Sequence, residues 1–327
     1  MTPAGHGRVE QGDHQVRRVT VGTLNASVVG LGCNQFGATC DAGEAAAIVG
    51  AALDSGIDFF DVADEYGPDG LAEEYLGRAV AGHRAEVTIA TKFSSRLGND
   101  PASGGASRKW VESAVEASLR RLGTDYIDVY QQHFPDPTVG QEETLAALHD
   151  LVTAGKVREI GVCNMAAADV QARLRHAAAT GYRPVASVQD RYNLLRQEAA
   201  DELLPAVRAA GVAFIPYFPL ASGMLGGWYR KGRPPPRDTR FHRHVEPGQA
   251  QHMIDRDADR VARLQRWAQE HRHSVADLAI AWLASQPGVG PVIAGVSTSE
   301  QVRANARAAE WELTAADVEL AASLARN

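Results

Sequence analysis

Along this chain short apolar runs alternate with helix-like stretches eight times over, and that alternation constrains the fold more than anything else in it. The runs lie at residues 28–32, 59–61, 87–90, 126–130, 159–162, 185–188, 212–215 and 292–294. Helical patterns follow them near residues 45–53, 71–81, 107–122, 142–154, 167–179, 198–210, 257–284 and from 299 onward. Each unit is about 30 residues, the size of a βα repeat. Strands that alternate with helices form a parallel sheet covered by helices. Eight such units close into a (β/α)8 TIM barrel; an open doubly wound sheet is the alternative, and the unit count favours the barrel. Length alone suggests about two domains, whereas one barrel accounts for residues 17–327 as a single domain, with 1–16 a flexible polar tail.

Local signals set several boundaries. Asp41 and Glu44 form a capping-box pattern, and Ser107 and Thr314 are N-cap residues for later helices. Residues 19–27 read as a short N-terminal hairpin with its turn near 24–26, ahead of the first barrel strand. Residues 222–247 are rich in Gly, Pro and Arg with little periodicity, so a long loop is expected after strand seven. Its basic part, 230–243, reads equally as a solvated insertion or as a flap over cofactor phosphates. Gly30 and Gly32 begin a dinucleotide-type pattern, but the next glycine is Gly37, so the G-x-G-x-x-G fingerprint fails.

Composition removes whole classes. The net charge is -7, with 45% hydrophobic and 22% charged residues, which suits a globular protein and leaves no nucleic-acid footprint. Three scattered cysteines, Cys33, Cys40 and Cys163, lack zinc-site spacing, and the pairs His242/His244 and His271/His273 are spaced i, i+2, so no metal is expected. The polar start has no apolar h-region, and no run of roughly 18 apolar residues spans a bilayer. The expectation is a reduced, cytoplasmic protein with a small-molecule ligand and no nucleic-acid or membrane partner.

In a barrel of this kind the site lies at the C-terminal strand ends. Those ends carry Asp61, Lys92, His133, Asn164, Gln189 and Tyr217, with Tyr66 just beyond Asp61. Wet loops explain any one polar strand end. They explain poorly a carboxylate, an ammonium and an imidazole on three successive strands. A phenol with pKa near about 10 is a weak acid. An ammonium beside it favours the phenolate, so Lys92, paired with Asp61, is expected to lower the Tyr66 pKa. A neutral His133 can polarise a carbonyl oxygen, and the set suits proton transfer to such an oxygen.

These residues sit in motifs that resemble the aldo-keto reductase family. They are Phe60-Asp61-Val62-Ala63-Asp64-Glu65-Tyr66-Gly67, Ala90-Thr91-Lys92-Phe93 and Tyr130-Gln131-Gln132-His133-Phe134-Pro135-Asp136. Gly155 through Asn164, Gln189 through Asn193, and Tyr217-Phe218-Pro219-Leu220 continue the match, which runs in order from about Arg17 onward. The resemblance implies a barrel that binds NADPH, with NADH possible, and reduces an aldehyde or ketone to an alcohol. Tyr66 matches the family's general acid, with Asp61, Lys92 and His133 completing the tetrad. Cys163, Asn164 and Gln189 match positions beside the nicotinamide, and Tyr217 the ring beneath it. Phe218, Leu220, Ser222, Gly223 and Leu225 match the loop around the pyrophosphate. Gly295, Val296, Ser297, Thr298, Gln301 and Asn305 match the region of the adenosine phosphate and adenine.

Three positions depart from the family pattern. Cys163 replaces a frequent serine, Phe218 replaces another, and Gly295 replaces a lysine that some members place on the 2′-phosphate. Lys231, Arg233, Arg237 and Arg303 are the cations available to compensate. Phe93, Phe134 and Trp228 are candidate walls of a substrate pocket. Two other functions fit the same motifs. One is an NADP(H)-binding redox sensor or regulatory subunit, as in the potassium-channel β-subunit relatives; the other is a reductase of keto-sugars or natural-product ketones. Substrate, stereochemistry and oligomeric state are not encoded in any motif.

Overall fold

Apolar runs with no polar face need burial on both sides, and a closed parallel barrel supplies it. A computed structural model describes residues 16–95, 104–237 and 239–326. The barrel strands are β3 (Val29–Gly32), β4 (Phe59–Asp61), β5 (Thr88–Phe93), β6 (Ile127–Gln132), β7 (Val157–Cys163), β8 (Val185–Arg191), β9 (Ala213–Tyr217) and β10 (Val292–Gly295). They pair in chain order, and β10 returns to β3 to close the ring. The principal helices around it are α1 (Ala42–Asp54), α2 (Leu71–Val80), α3 (Arg108–Leu122), α4 (Gln141–Thr153), α5 (Ala167–Thr180) and α6 (Leu203–Ala209). After β9 come α7 (Arg240–His244), α8 (Pro247–Glu270), α9 (Val275–Ala284), α10 (Ser299–Ala308) and α11 (Ala315–Arg326).

Ahead of the barrel, β1 (Arg18–Val21) and β2 (Leu24–Ser27) pair antiparallel. Val21, Leu24 and Ala26 pack with Phe59, Ala90, Val129, Ala213, Ile215 and Ile293. The hairpin therefore plugs the N-terminal end of the barrel. Its turn is at Gly22–Thr23, not near 24–26, because Leu24 and Ala26 are needed in that plug and Gly22 takes the positive φ. Glu159, buried at the start of β7, receives the Thr23 amide at 2.6 Å and the Arg183 guanidinium, which fixes the turn. Residues 1–15 of the tail lie outside the described residues, whereas Val16 is buried.

The capping box forms as expected, with Glu44 N–H donating to Asp41 and Asp41 N–H donating back, both at 2.9 Å. Ser107 and Thr314 accept from the amides of Trp110 and Asp317. Two helices differ from the sequence reading. The segment 198–210 breaks into a 3-10 turn and α6, since a continuous helix would set the Pro205 ring against the carbonyl four residues back. α8 starts at Pro247, ten residues before the expected onset, with proline in the first turn where no N–H is required. The expected loop thus runs up to the start of α8, and it contains a 3-10 segment (Ala221–Gly226) and α7.

Gly77 shows how tightly the outer layer is built. It sits inside α2 where any Cβ would overlap the backbone carbonyl of Leu122 at the end of α3. Gly77→Ala is expected to destabilise the fold by about 1–3 kcal/mol, the range for overpacking, despite better helix propensity. Chemical denaturation checks this, and an unchanged midpoint would contradict it.

Candidate active site

Asp61 ends β4, Lys92 is the fifth residue of β5, and His133 follows β6 directly. Adjacent parallel strands thus deliver the three side chains to one end of the barrel. Lys92 is fully buried, and its Nζ donates to Asp61 Oδ2 at 2.7 Å, to the Val62 carbonyl at 2.9 Å and to the Tyr66 hydroxyl at 3.5 Å. The other oxygen of Asp61 accepts from Gln189 Nε2 at 2.7 Å and Gln131 Nε2 at 3.4 Å. The carboxylate is therefore held from three sides.

Tyr66 rides a tight loop. Val62 N–H donates to the Ala90 carbonyl, Asp64 N–H to the Lys92 carbonyl and Tyr66 N–H to the Ala63 carbonyl. Gly67 follows with φ +70, and a Cβ there would come 3.0 Å from the Phe36 carbonyl, so the turn requires glycine. The Tyr66 and His133 rings meet edge-on at 6.0 Å. Nδ1 of His133 lies 3.2 Å from Ser95 Oγ and 3.2 Å from Glu65 Oε1, and its ring stacks on Phe134.

Electrostatics follow from burial. Desolvation disfavours a charged Lys92, but Asp61 and Tyr66 outweigh it and its pKa is raised. Burial pushes the Tyr66 hydroxyl up to about 12, although Lys92 pulls the other way. The expectation that Lys92 would bring the phenol below its ordinary value is thus overturned; desolvation is the larger effect. Burial and then the Lys92 charge lower His133 to about 3. At neutral pH the site offers a protonated phenol, an ammonium and a neutral imidazole.

A cavity of about 590 Å³ opens over these groups. Asp61, Tyr66, His133, Asn164, Gln189, Tyr217, Phe218, Leu220, Ser222, Gly223, Gly295, Val296, Ser297 and Gln301 all line it. The Tyr217 hydroxyl donates to Asn164 Oδ1 at 2.7 Å, and Asn164 Nδ2 donates to the His133 carbonyl at 3.0 Å. Lys92, Cys163, Leu225, Thr298 and Asn305 are not among the lining residues: Lys92 and Cys163 are buried behind the wall, and Thr298 caps α10. Phe134 and Trp228 form exposed rims, but Phe93 is buried against Tyr130 and forms no wall.

Three cations line the cavity: Arg191, which the sequence reading did not single out, and Arg240 and Arg243 from the end of the basic segment 230–243. The Arg240 and Arg191 guanidiniums lie 4.9 and 5.7 Å from the centre of the Phe218 ring. Lys231, Arg233, Arg237 and Arg303 do not line the cavity, and Lys231 pairs with Asp259. Arg191 was findable, because it lies two residues beyond Gln189 on β8 and so shares its face.

A model of the Aldo/keto reductase family matches residues 28–326, nearly the whole barrel. The chain belongs to the aldo/keto reductase family. As a member, it is an oxidoreductase acting on carbonyl compounds. It is 33% identical to L-glyceraldehyde 3-phosphate reductase of Escherichia coli K12, over 80% of this chain and 78% of that protein. It is 33% identical to aldo-keto reductase YhdN of Bacillus subtilis, over 90% and 88%. A probable voltage-gated potassium channel subunit beta of rice is 34% identical over 84% of each chain. Among the described residues of this reductase-family chain, no helix is long and apolar enough to cross a membrane.

Proposed function

We propose that the protein is an NADPH-dependent reductase of aldehydes or ketones, with Tyr66 as the proton donor. The observation that carries this reading is the Tyr66 hydroxyl at hydrogen-bond range of a buried, carboxylate-held ammonium, at one side of a cavity with suitable walls. Those walls fit a nicotinamide dinucleotide. Tyr217 supplies a ring for stacking, Asn164 and Gln189 supply amides for a carboxamide, and Arg191, Arg240 and Arg243 supply charge for phosphates. Gly295 leaves the wall open, since a Cβ there would already come 3.3 Å from Asn34 Oδ1.

When bound, the reduced nicotinamide supplies a hydride to the carbonyl carbon. Tyr66 gives its proton to the carbonyl oxygen, so that hydride and proton together yield the alcohol. Lys92 stabilises the phenolate left behind, and Asp61 keeps Lys92 charged and in place. In the tautomer whose Nδ1 accepts from the Ser95 hydroxyl, His133 carries its proton on Nε2 and polarises the carbonyl. The same reading places the protein in the cytoplasm, where the free and buried Cys33, Cys40 and Cys163 stay reduced.

NADPH is expected to bind at least about tenfold tighter than NADH, because a guanidinium–phosphate contact is a charge-assisted one. Fluorescence titration with each cofactor checks this, and equal affinities would refute the preference. Steady-state NADPH oxidation against aldehydes, ketones and keto-sugars tests the reaction. Binding without turnover of any carbonyl would instead favour a sensor role, the reading suggested by the plant relatives named as channel β subunits.

A further inference from the structure

Asp64 reads in the sequence as an incidental polar residue between Asp61 and Tyr66, yet in the structure it is only 2% exposed. Both carboxyl oxygens are buried and neither has a hydrogen-bond partner. The charged and titratable groups around it are Glu65 on the same loop, Glu73 of α2, Lys92 of β5, Arg121 of α3 and Tyr130 of β6. Neither cation is available to it. Lys92 is spent on Asp61 at 2.7 Å, and Arg121 on Glu73 at 2.6 Å, where Glu73 also receives the Thr91 hydroxyl. The Tyr130 hydroxyl is likewise buried without a partner. Three buried carboxyls, Asp61, Glu73 and Asp64, therefore share two cations, and the one left over is the one with no hydrogen bonds. An isolated buried carboxylate is costly enough that such a group takes up a proton instead.

We propose that Asp64 is a positioning residue that holds the Tyr66 loop in its working conformation only while its carboxyl is protonated. The backbone provides the link, since Asp64 N–H donates to the Lys92 carbonyl at 3.3 Å, two residues before Tyr66. Ionisation puts an uncompensated charge beside the Arg121-paired Glu73 and drives this segment toward water, taking Tyr66 away from Lys92. Burial, and then Glu73, raise the Asp64 carboxyl to about 8, so the acid form prevails below that pH and the carboxylate above it. Tyr66 at about 12 and His133 at about 3 titrate well away from this point, which leaves the region near pH 8 free to report on Asp64.

The inference rests on the reductase reading for its kinetic consequence, and the test separates the two. In wild type, kcat/KM for carbonyl reduction is expected to fall above about pH 8 by about tenfold per pH unit, as for a single essential acid. Asp64→Asn, neutral at every pH, is expected to keep its rate through that range. Amide exchange of residues 62–67, corrected for the intrinsic effect of pH, needs no turnover. It should rise above about pH 8 in wild type and stay level in the variant. If Asp64→Asn does not fold, Asp64→Ser provides the same comparison. An alkaline limb and an exchange profile that the neutral variants leave unaltered would overturn the proposal. Exchange that responds as expected in a protein that reduces no carbonyl would overturn the functional reading alone.

Discussion

Tyr66→Phe is expected to lower kcat for carbonyl reduction by roughly 10²–10⁴-fold, the range for a positioned general acid. NADPH affinity should stay near wild type. The substitution removes one oxygen and leaves the ring, which packs against His133 and the hydrophobic core. Asn164, Gln189 and Tyr217, the groups proposed to face the cofactor, bond instead to the His133 carbonyl, Asp61 and Asn164. Single-turnover kinetics with separately measured cofactor binding make the check. Full activity in Tyr66→Phe would remove Tyr66 from the mechanism. The high phenol pKa adds a second expectation. Because the folded-state value of about 12 keeps the proton on at lower pH, loss of activity between pH 8 and 10 cannot be assigned to Tyr66 ionisation.

Lys92→Met is expected to abolish turnover and also to destabilise the fold by about 3–5 kcal/mol, the cost of removing one partner from a buried ion pair. Asp61 would be left buried without its cation, with only the amides of Gln131 and Gln189 to hold it. Adding Asp61→Asn to that variant removes the stranded charge. Most of the stability should then return while activity does not, because Tyr66 still lacks its neighbouring ammonium. Thermal or denaturant unfolding of the two singles and the double gives the coupling. A double variant no more stable than Lys92→Met would show that the pair is not the source of the loss.

The barrel and the tetrad positions were legible because barrel geometry converts strand order into a ring. Once Asp61, Lys92 and His133 are placed at successive strand ends, the fold brings them together without further information. Loops carry no such rule. Arg240 and Arg243 reach the cavity from a segment whose path no periodicity records. The early start of α8 was hidden by Asp257, a carboxylate in the buried stripe of Ala250, Ile254, Val261 and Leu264. Arg256 and Arg260, both at 2.7 Å, make that burial tolerable. Asp64 was missed for a related reason: nothing next to it in sequence shows that α2 and α3 enclose it. The Tyr66 pKa went wrong in direction, since neighbouring charges can be read from residue types but the extent of desolvation, which outweighs them, cannot.

The hairpin of β1 and β2 has a consequence for traffic. With Val21, Leu24 and Ala26 seated under the barrel interior, the described residues form a well whose cavity opens at the far end. On the proposed reading, cofactor, substrate and product would all use that opening. A dinucleotide reaching from Tyr217 to Gln301 would occupy much of its wall, and a carbonyl compound near Tyr66 and His133 would enter after it and leave before it. That order would then trace back to two four-residue strands on the opposite side of the protein from the chemistry.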